Sequence, residues 1–107
     1  MSEKPNKVIF SVAGRNGVII VYCNRIDIFR QGVIHFVNNG VKTIFISKIT
    51  SIQFKEASKK NSGFIQFVYP GAIFNSEIEK DDNSMVFEEE SNEDFKKLRE
   101  YLNEHIQ

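Results

Sequence analysis

Residues 91–106 read SNEDFKKLREYLNEHI, and this stretch has the periodicity of a helix. Ser91 or Asn92 is a favourable N-cap, and the two acidic residues that follow place negative charge at the positive end of the helix dipole. Apolar side chains then recur at spacings of three and four residues, at Phe95, Leu98, Leu102 and Ile106. We therefore predict an amphipathic capping helix over about residues 92–106, whose apolar stripe covers other structure.

Upstream of this helix, short apolar runs alternate with turn residues. The runs are rich in β-branched and aromatic residues, which is typical of strands, and Gly, Asn and Pro separate them. Eight such runs lie at 7–13, 18–22, 25–30, 33–37, 41–46, 49–55, 64–69 and 85–87. We count about seven strands over about residues 7–87, since 18–22 and 25–30 are close enough to form one bent strand. The pattern predicts a mainly β fold, in which antiparallel strands form a bent sheet or partly open barrel capped by the helix.

Some pairings follow from the turns between these runs. Residues 18–22 and 25–30 are joined by two residues only, so they form either a hairpin or one long, bent strand. Asn and Gly between 33–37 and 41–46 predict that these two runs pair as a hairpin. The run 18–22 is apolar on both faces, so we expect it to lie in the middle of a sheet.

Composition and charge describe an ordinary globular chain with an unusual distribution of charge. Of the 107 residues, 41% are hydrophobic and 26% charged, which argues against disorder or a disulfide scaffold and predicts a single domain over residues 1–107. The formal net charge is zero. Residues 1–62, however, carry ten basic and three acidic residues, a net +7, while residues 63–107 carry four basic and eleven acidic residues, a net −7.

The location that the sequence predicts is a reducing cytoplasm. The first residues are polar and lack the apolar region of a signal peptide, and the longest apolar run, Val18 to Cys23, is far shorter than the roughly 20 residues of a membrane-spanning helix. Cys23 is the single cysteine of the chain, so it has no partner for an internal disulfide. Its apolar surroundings predict a small buried side chain.

Several pieces of the sequence, taken in order, resemble a bacterial pleckstrin-homology-like (PH-like) domain family of unknown function, often associated with short C-terminal oligomerisation segments. These pieces include ITSIQFK at 49–55, GFIQF at 63–67 and DDNSMVF at 81–87. The resemblance implies seven strands in two near-orthogonal sheets with a C-terminal capping helix. It also implies a binding function, because PH-like domains bind lipids, peptides or proteins, and the fold alone does not decide among them.

No catalytic motif is visible, so we expect a protein that is not an enzyme and has no cofactor or metal. The chain lacks a P-loop, a G-x-S-x-G motif and an H-E-x-x-H motif, and its two histidines, His35 and His105, are expected to be structural. Four residues match calcium-loop positions one, three, five and twelve, but Ser84 stands where that loop needs glycine. The four are Glu79, Asp81, Asn83 and Glu90. We interpret this stretch as a solvated acidic loop.

The basic half of the chain supplies the candidate interaction surface. Arg15 lies in the first predicted turn, Arg25 and Arg30 are expected on the exposed face of the third strand, and Lys59 and Lys60 lie in a long loop. These five residues are candidates for an anion-binding surface. A folded barrel would interleave the two halves of the chain, however, so their opposite charges are also expected to neutralise each other across the sheets.

Two functions follow as hypotheses. The preferred one is an interaction module that binds a protein partner or a second copy of itself, through an exposed sheet edge or through its oppositely charged faces, which attract each other. The alternative is a binder of an anionic ligand, either a lipid headgroup or nucleic acid, through the basic half. The run 18–22 has no basic residue, unlike the second strand of phosphoinositide-binding PH domains, and this argues against a lipid-headgroup site there. Neutral net charge and the absence of an RNA-binding motif argue against nucleic acid as a partner, and the sequence indicates no small-molecule substrate.

Overall fold

The computed structural model describes residues 7–15, 17–30 and 41–106. Within these ranges it contains seven strands and one α-helix. The strands are β1 (Val8–Gly14), β2 (Gly17–Tyr22), β3 (Arg25–Arg30), β4 (Val41–Phe45), β5 (Ser51–Lys55), β6 (Gly63–Val68) and β7 (Ser84–Phe87), and the helix is α1 (Asn92–His105). Short 3₁₀ turns occupy Ile46–Lys48, Ile78–Lys80 and Glu89–Ser91.

The described strands form two antiparallel sheets. The first has the order β1-β2-β3-β4 and the second the order β5-β6-β7, and within each sheet every strand pairs with the strand that follows it in the chain. The predicted mainly β architecture with a C-terminal helix is confirmed, and the arrangement is consistent with a PH-like fold. The seven described strands do not close into a barrel, because the two sheets remain separate hydrogen-bonded ladders.

The structure settles one alternative about strand pairing and shows one pairing that was not predicted. β2 and β3 are a hairpin, with Val21 opposite Ile26, and β2 is central as predicted. β4 pairs with β3, with Val41 opposite Phe29. The predicted strand 33–37, its hairpin with 41–46 and His35 lie outside the described residues.

Both sheets and the helix contribute to one apolar core. Fully buried side chains come from β2 and β3 in the first sheet, from β6 and β7 in the second, and from α1. The helix contributes Phe95, Leu98 and Leu102 from the predicted stripe, while Ile106 is partly buried against the core. Phe95 stacks on Phe87, with ring centroids 4.2 Å apart. Burial of each such side chain stabilises the fold by roughly 1.5–3 kcal/mol.

The beginning of α1 is held differently from the sequence prediction. The helix begins after Ser91, but the Ser91 side chain makes no capping hydrogen bond. The Asn92 side chain, which is 9% exposed, binds the backbone of Ala57 instead. Its amide donates to the Ala57 carbonyl oxygen at 2.9 Å, and its oxygen accepts the Ala57 N–H at 2.8 Å. Asn92 therefore attaches the helix to the loop that follows β5.

Two further predictions concern single side chains. Cys23 is half-buried rather than buried, because it lies in the β2–β3 turn instead of within the strand. His105 ends α1, and its Nδ1 lies 2.7 Å from the Tyr101 carbonyl oxygen, which agrees with a structural role. No helix in the described part of the chain is long and apolar enough to cross a membrane.

Candidate functional site

Arg15 connects the first hairpin to the acidic half of the chain. Its backbone N–H donates to the Val86 carbonyl oxygen of β7 at 2.7 Å. Its guanidinium forms ion pairs with Glu79, at 2.5 Å, and with Glu88, and it also donates to the Ser62 hydroxyl. The hydrogen bond to Glu88, above all, raises the pKa of the Arg15 guanidinium. Arg15 is therefore paired within the fold.

Arg30 lies on the inner side of the first sheet, so its expected position on the exposed face was wrong. Side chains alternate along a strand, and residue 30 has the same parity as Ile26 and Ile28, which are fully buried. The half-buried guanidinium donates to the backbone carbonyl oxygens of Glu79, Asp81 and Ser84. Burial lowers the pKa of Arg30, and the nearby carboxylates of Asp82 and Asp81 oppose this shift.

A cluster of buried polar side chains lies beneath Arg30. Asp81 and Asn83 are each 1% exposed, and Ser84 is completely buried. The Asp81 carboxylate accepts hydrogen bonds from the Asn75 N–H at 2.9 Å, from the Gln66 amide at 3.2 Å and from the Ser84 hydroxyl. All of these hydrogen bonds join groups within this chain. We call the buried side chains Asp81, Asn83 and Ser84 the polar cluster.

The structure corrects the expected solvated loop in part. Glu79 and Asp82 are exposed as expected, whereas Asp81, Asn83 and Ser84 are buried in the polar cluster. Asp81 and Asn83 point inward and are bonded to protein groups, because Arg30 draws the chain on either side of Asp81 against the first sheet. Glu79 pairs with Arg15. Among the described residues, no group of three or more His, Cys, Asp or Glu side chains is placed to hold a metal ion.

The segment between β6 and β7 exposes two large apolar side chains, Ile73 and Phe74, which we call the apolar tip. Ile73 is 85% exposed and Phe74 41%. The backbone beneath them is held at several points. Asn83 donates to the Ile73 carbonyl oxygen at 3.1 Å and accepts the Tyr69 hydroxyl at 2.6 Å. Gly71, with a φ of 86°, turns the chain just before the tip.

An open depression of about 220 Å³ lies beside the apolar tip. It is lined by Ile73, Phe74, Asn75, Lys80, Asp81 and Asp82. Residues 69–84 carry four carboxylates and one lysine, a net charge of −3. The tip is thus an apolar protrusion on an acidic surface.

The five basic residues predicted as an interaction surface do not share one location. The structure brings Arg15 and Arg30 together, since both bind Glu79. Arg25 lies at the opposite end and on the opposite face of β3, with its guanidinium carbon 3.9 Å from the centroid of the Tyr22 ring. Lys59 and Lys60 are exposed in the β5–β6 loop. Opposite charges from the two halves of the chain therefore meet at Arg15, at the surface of the fold, as the interleaving of the halves predicted, whereas Arg30 binds backbone carbonyl oxygens of the acidic half.

A second surface, which the sequence reasoning missed, is the outward face of the first sheet. Alternation and strand register place on it Ser11, Ala13, Val18, Ile20, Tyr22, Arg25, Asp27, Phe29, Val41, Thr43 and Phe45, and we call this the outer face. One row of it crosses all four strands, from Ala13 through Val18 and Phe29 to Val41. The continuous apolar run at 18–22 was the signal that could have revealed it.

Comparison of the chain with protein-family models finds no match. Comparisons with curated proteins and with solved structures likewise find no match. The geometry of the described residues is therefore the basis for any functional proposal.

Proposed function

We propose that this protein is a non-enzymatic, PH-like interaction module of the cytoplasm that binds a protein partner through the apolar tip. The observation that carries the proposal is the 85% exposure of Ile73 on a backbone held by the polar cluster. An apolar side chain exposed on an ordered segment loses little conformational freedom when a partner covers it. Most of the free energy gained by burying the side chain therefore contributes to affinity. Such anchors dominate the energetics of protein interfaces.

The surroundings of the tip favour a protein partner with a basic rim. The segment that carries Ile73 and Phe74 has a net charge of −3, which attracts Lys and Arg side chains and repels anionic phospholipid. A partner that fits would offer an apolar pocket for Ile73, with basic side chains facing Asp82. The single thiol, Cys23, and the two-sheet arrangement with its helix support the cytoplasmic and PH-like parts of the proposal.

Binding of an anionic ligand through the basic half is the alternative, and the geometry favours it less. A phosphate at Arg15 would have to displace Glu79 and Glu88, and one at Arg30 would have to displace three backbone carbonyl oxygens. Titrations with phosphatidylserine vesicles and with nucleic acid test this alternative. Saturable binding that is lost on charge reversal of Lys59 and Lys60 would support it over the protein partner.

Photo-crosslinking in cells that express the protein tests the preferred function. A photoreactive amino acid replaces Ile73 in one variant and Lys60 in a control, since both side chains are exposed in loops. We expect a discrete cross-linked protein from position 73 but not from position 60. With that partner purified, Phe74→Ser should weaken binding by about tenfold or more. Identical cross-linking from both positions, or cross-linking to lipid only, would refute the proposal.

A further inference from the structure

The outer face of the first sheet is apolar to a degree that a solvent-facing sheet seldom shows. In antiparallel sheets with one solvent-exposed face, apolar and polar residues alternate along each strand. Strands that are covered on both faces have continuous apolar sequences instead. β2 is of the second kind. Ile19 and Val21 fill the core on its inner side, while Val18, Ile20 and Tyr22 form its outer side and are only half-buried.

The neighbouring strands extend this apolar surface. Phe29 on β3 is 36% exposed, and Val41 and Phe45 on β4 are 46% and 49% exposed. Phe29 lies directly between Val18 and Val41 in the ladder, so these three side chains form a continuous strip across three strands. We propose that a second copy of this chain binds the outer face, so that two first sheets pack face to face in a weak, symmetric homodimer.

The charge on this surface favours an identical partner. The described charged residues of the outer face are Arg25 and Asp27, with 3.7 Å between the Arg25 Nε and the Asp27 carboxylate, and Thr43 donates to the same carboxylate at 2.7 Å. The face is therefore neutral, and two copies of it neither repel each other nor bury an unpaired charge. The whole chain also has zero formal net charge, a condition that promotes association of like molecules.

The size of the face sets the strength of the contact. Four strands spaced about 4.8 Å apart, with about five residues each at roughly 3.4 Å, give a flat footprint of roughly 300 Å² per copy. Stable complexes bury about 800 Å² per partner, so this contact belongs to the weak class. We therefore expect a weak homodimer that forms only at high protein concentration, with the two sheets about 10 Å apart as in a β-sandwich.

Sedimentation equilibrium from about 10 µM to about 1 mM tests the homodimer. The weight-average mass should rise from 12.4 kDa toward twice that value, and the rise should persist at high salt because the contact is apolar. Phe29→Lys places like charges in the centre of both faces and should weaken the dimer at least tenfold. Val41→Lys, at the exposed edge strand, is a second variant that should act in the same direction with little risk to folding.

Ile73→Lys is the matched control, since it makes the same kind of change on the apolar tip, outside the outer face. It should leave the dimer unchanged, and circular dichroism should show that all three variants are folded. A monomer at 1 mM, a dimer that salt dissociates, or a dimer lost only with Ile73→Lys would each overturn the inference. Because the proposed protein partner is tested by cross-linking at position 73, failure of either experiment leaves the other unaffected.

Discussion

Replacement of Arg30 by Met tests whether this arginine stabilises the fold or serves to bind a ligand. The Met side chain keeps most of the apolar stem of Arg30 but removes its charge and all its donors. In the native protein these donors reach the carbonyl oxygens of Glu79, Asp81 and Ser84, and so hold the chain that precedes β7 against the first sheet. Arg30→Met leaves three carbonyl oxygens without that donor, and the bonds to two of them, those of Asp81 and Ser84, are partly buried.

The expected loss of stability follows from the number and kind of these bonds. A hydrogen bond that involves a charged group contributes about 1.5–3 kcal/mol to stability. The sum over three such bonds is therefore an upper limit on the loss of unfolding free energy, and the net loss is smaller. Burial of the guanidinium lowers its pKa, which shows that part of this gain is offset by the cost of removing the charge from water. We expect a net loss of about 2–4 kcal/mol in the free energy of unfolding.

Thermal and urea unfolding measure this effect. For a domain of this size, the loss corresponds to a decrease in Tm of roughly 10–20 °C. Lys59→Met is the control, because it removes the same charge from an exposed loop and should change stability by less than about 0.5 kcal/mol. Arg30→Lys should recover only part of the loss, since one ammonium does not reproduce the planar guanidinium fork. If Arg30→Met were as stable as Lys59→Met, the assignment of Arg30 as a structural residue would be wrong.

Two further substitutions test how the second sheet and the helix are held. Gly63→Ala should lower the free energy of unfolding by about 3 kcal/mol, because the new Cβ would lie 2.4 Å from a backbone carbonyl oxygen of β5. At Gly71 a Cβ would have no atom within 4 Å, so Gly71→Ala should cost only about 1 kcal/mol, for the positive φ. Equal melting temperatures for the two variants would contradict this. Asn92→Ala should lower the free energy of unfolding by about 2–3 kcal/mol and speed hydrogen exchange at the Ala57 amide. Ser91→Ala removes no capping hydrogen bond, so it should leave the stability and the exchange rate nearly unchanged.

Much of the fold follows from local patterns. The spacing of Phe95, Leu98 and Leu102 predicted a helix that covers a core, and all three are fully buried in it. The continuous apolar run at 18–22 correctly predicted a central strand. These predictions succeed because one buried face imposes a period of two on a strand and of 3.6 on a helix, and that period is visible in the residues themselves.

The site was predicted less well, and the reason differs between residues. Arg30 was placed outside although the alternation that buries Ile28 also turns residue 30 inward, so the signal was present in the sequence and was misread. The burial of Asp81 and Asn83 had no such local signal. A carboxylate and an amide in an acidic stretch look solvated until their donors are known, and here the donors come from β6 and from the loop that follows it.

The distribution of charge shows most clearly what each level of structure decides. Along the chain, ten basic residues precede position 63 and eleven acidic residues follow it, and this segregation suggested separate charged surfaces. Tertiary structure decided that Arg15 meets Glu79 and Glu88, which are 64 and 73 residues away along the chain. Folding brings the β1–β2 turn beside the end of β7, so some of the charges that are segregated in the chain become neighbours. Folding also decides which large apolar side chains stay exposed, on the tip and on the outer face.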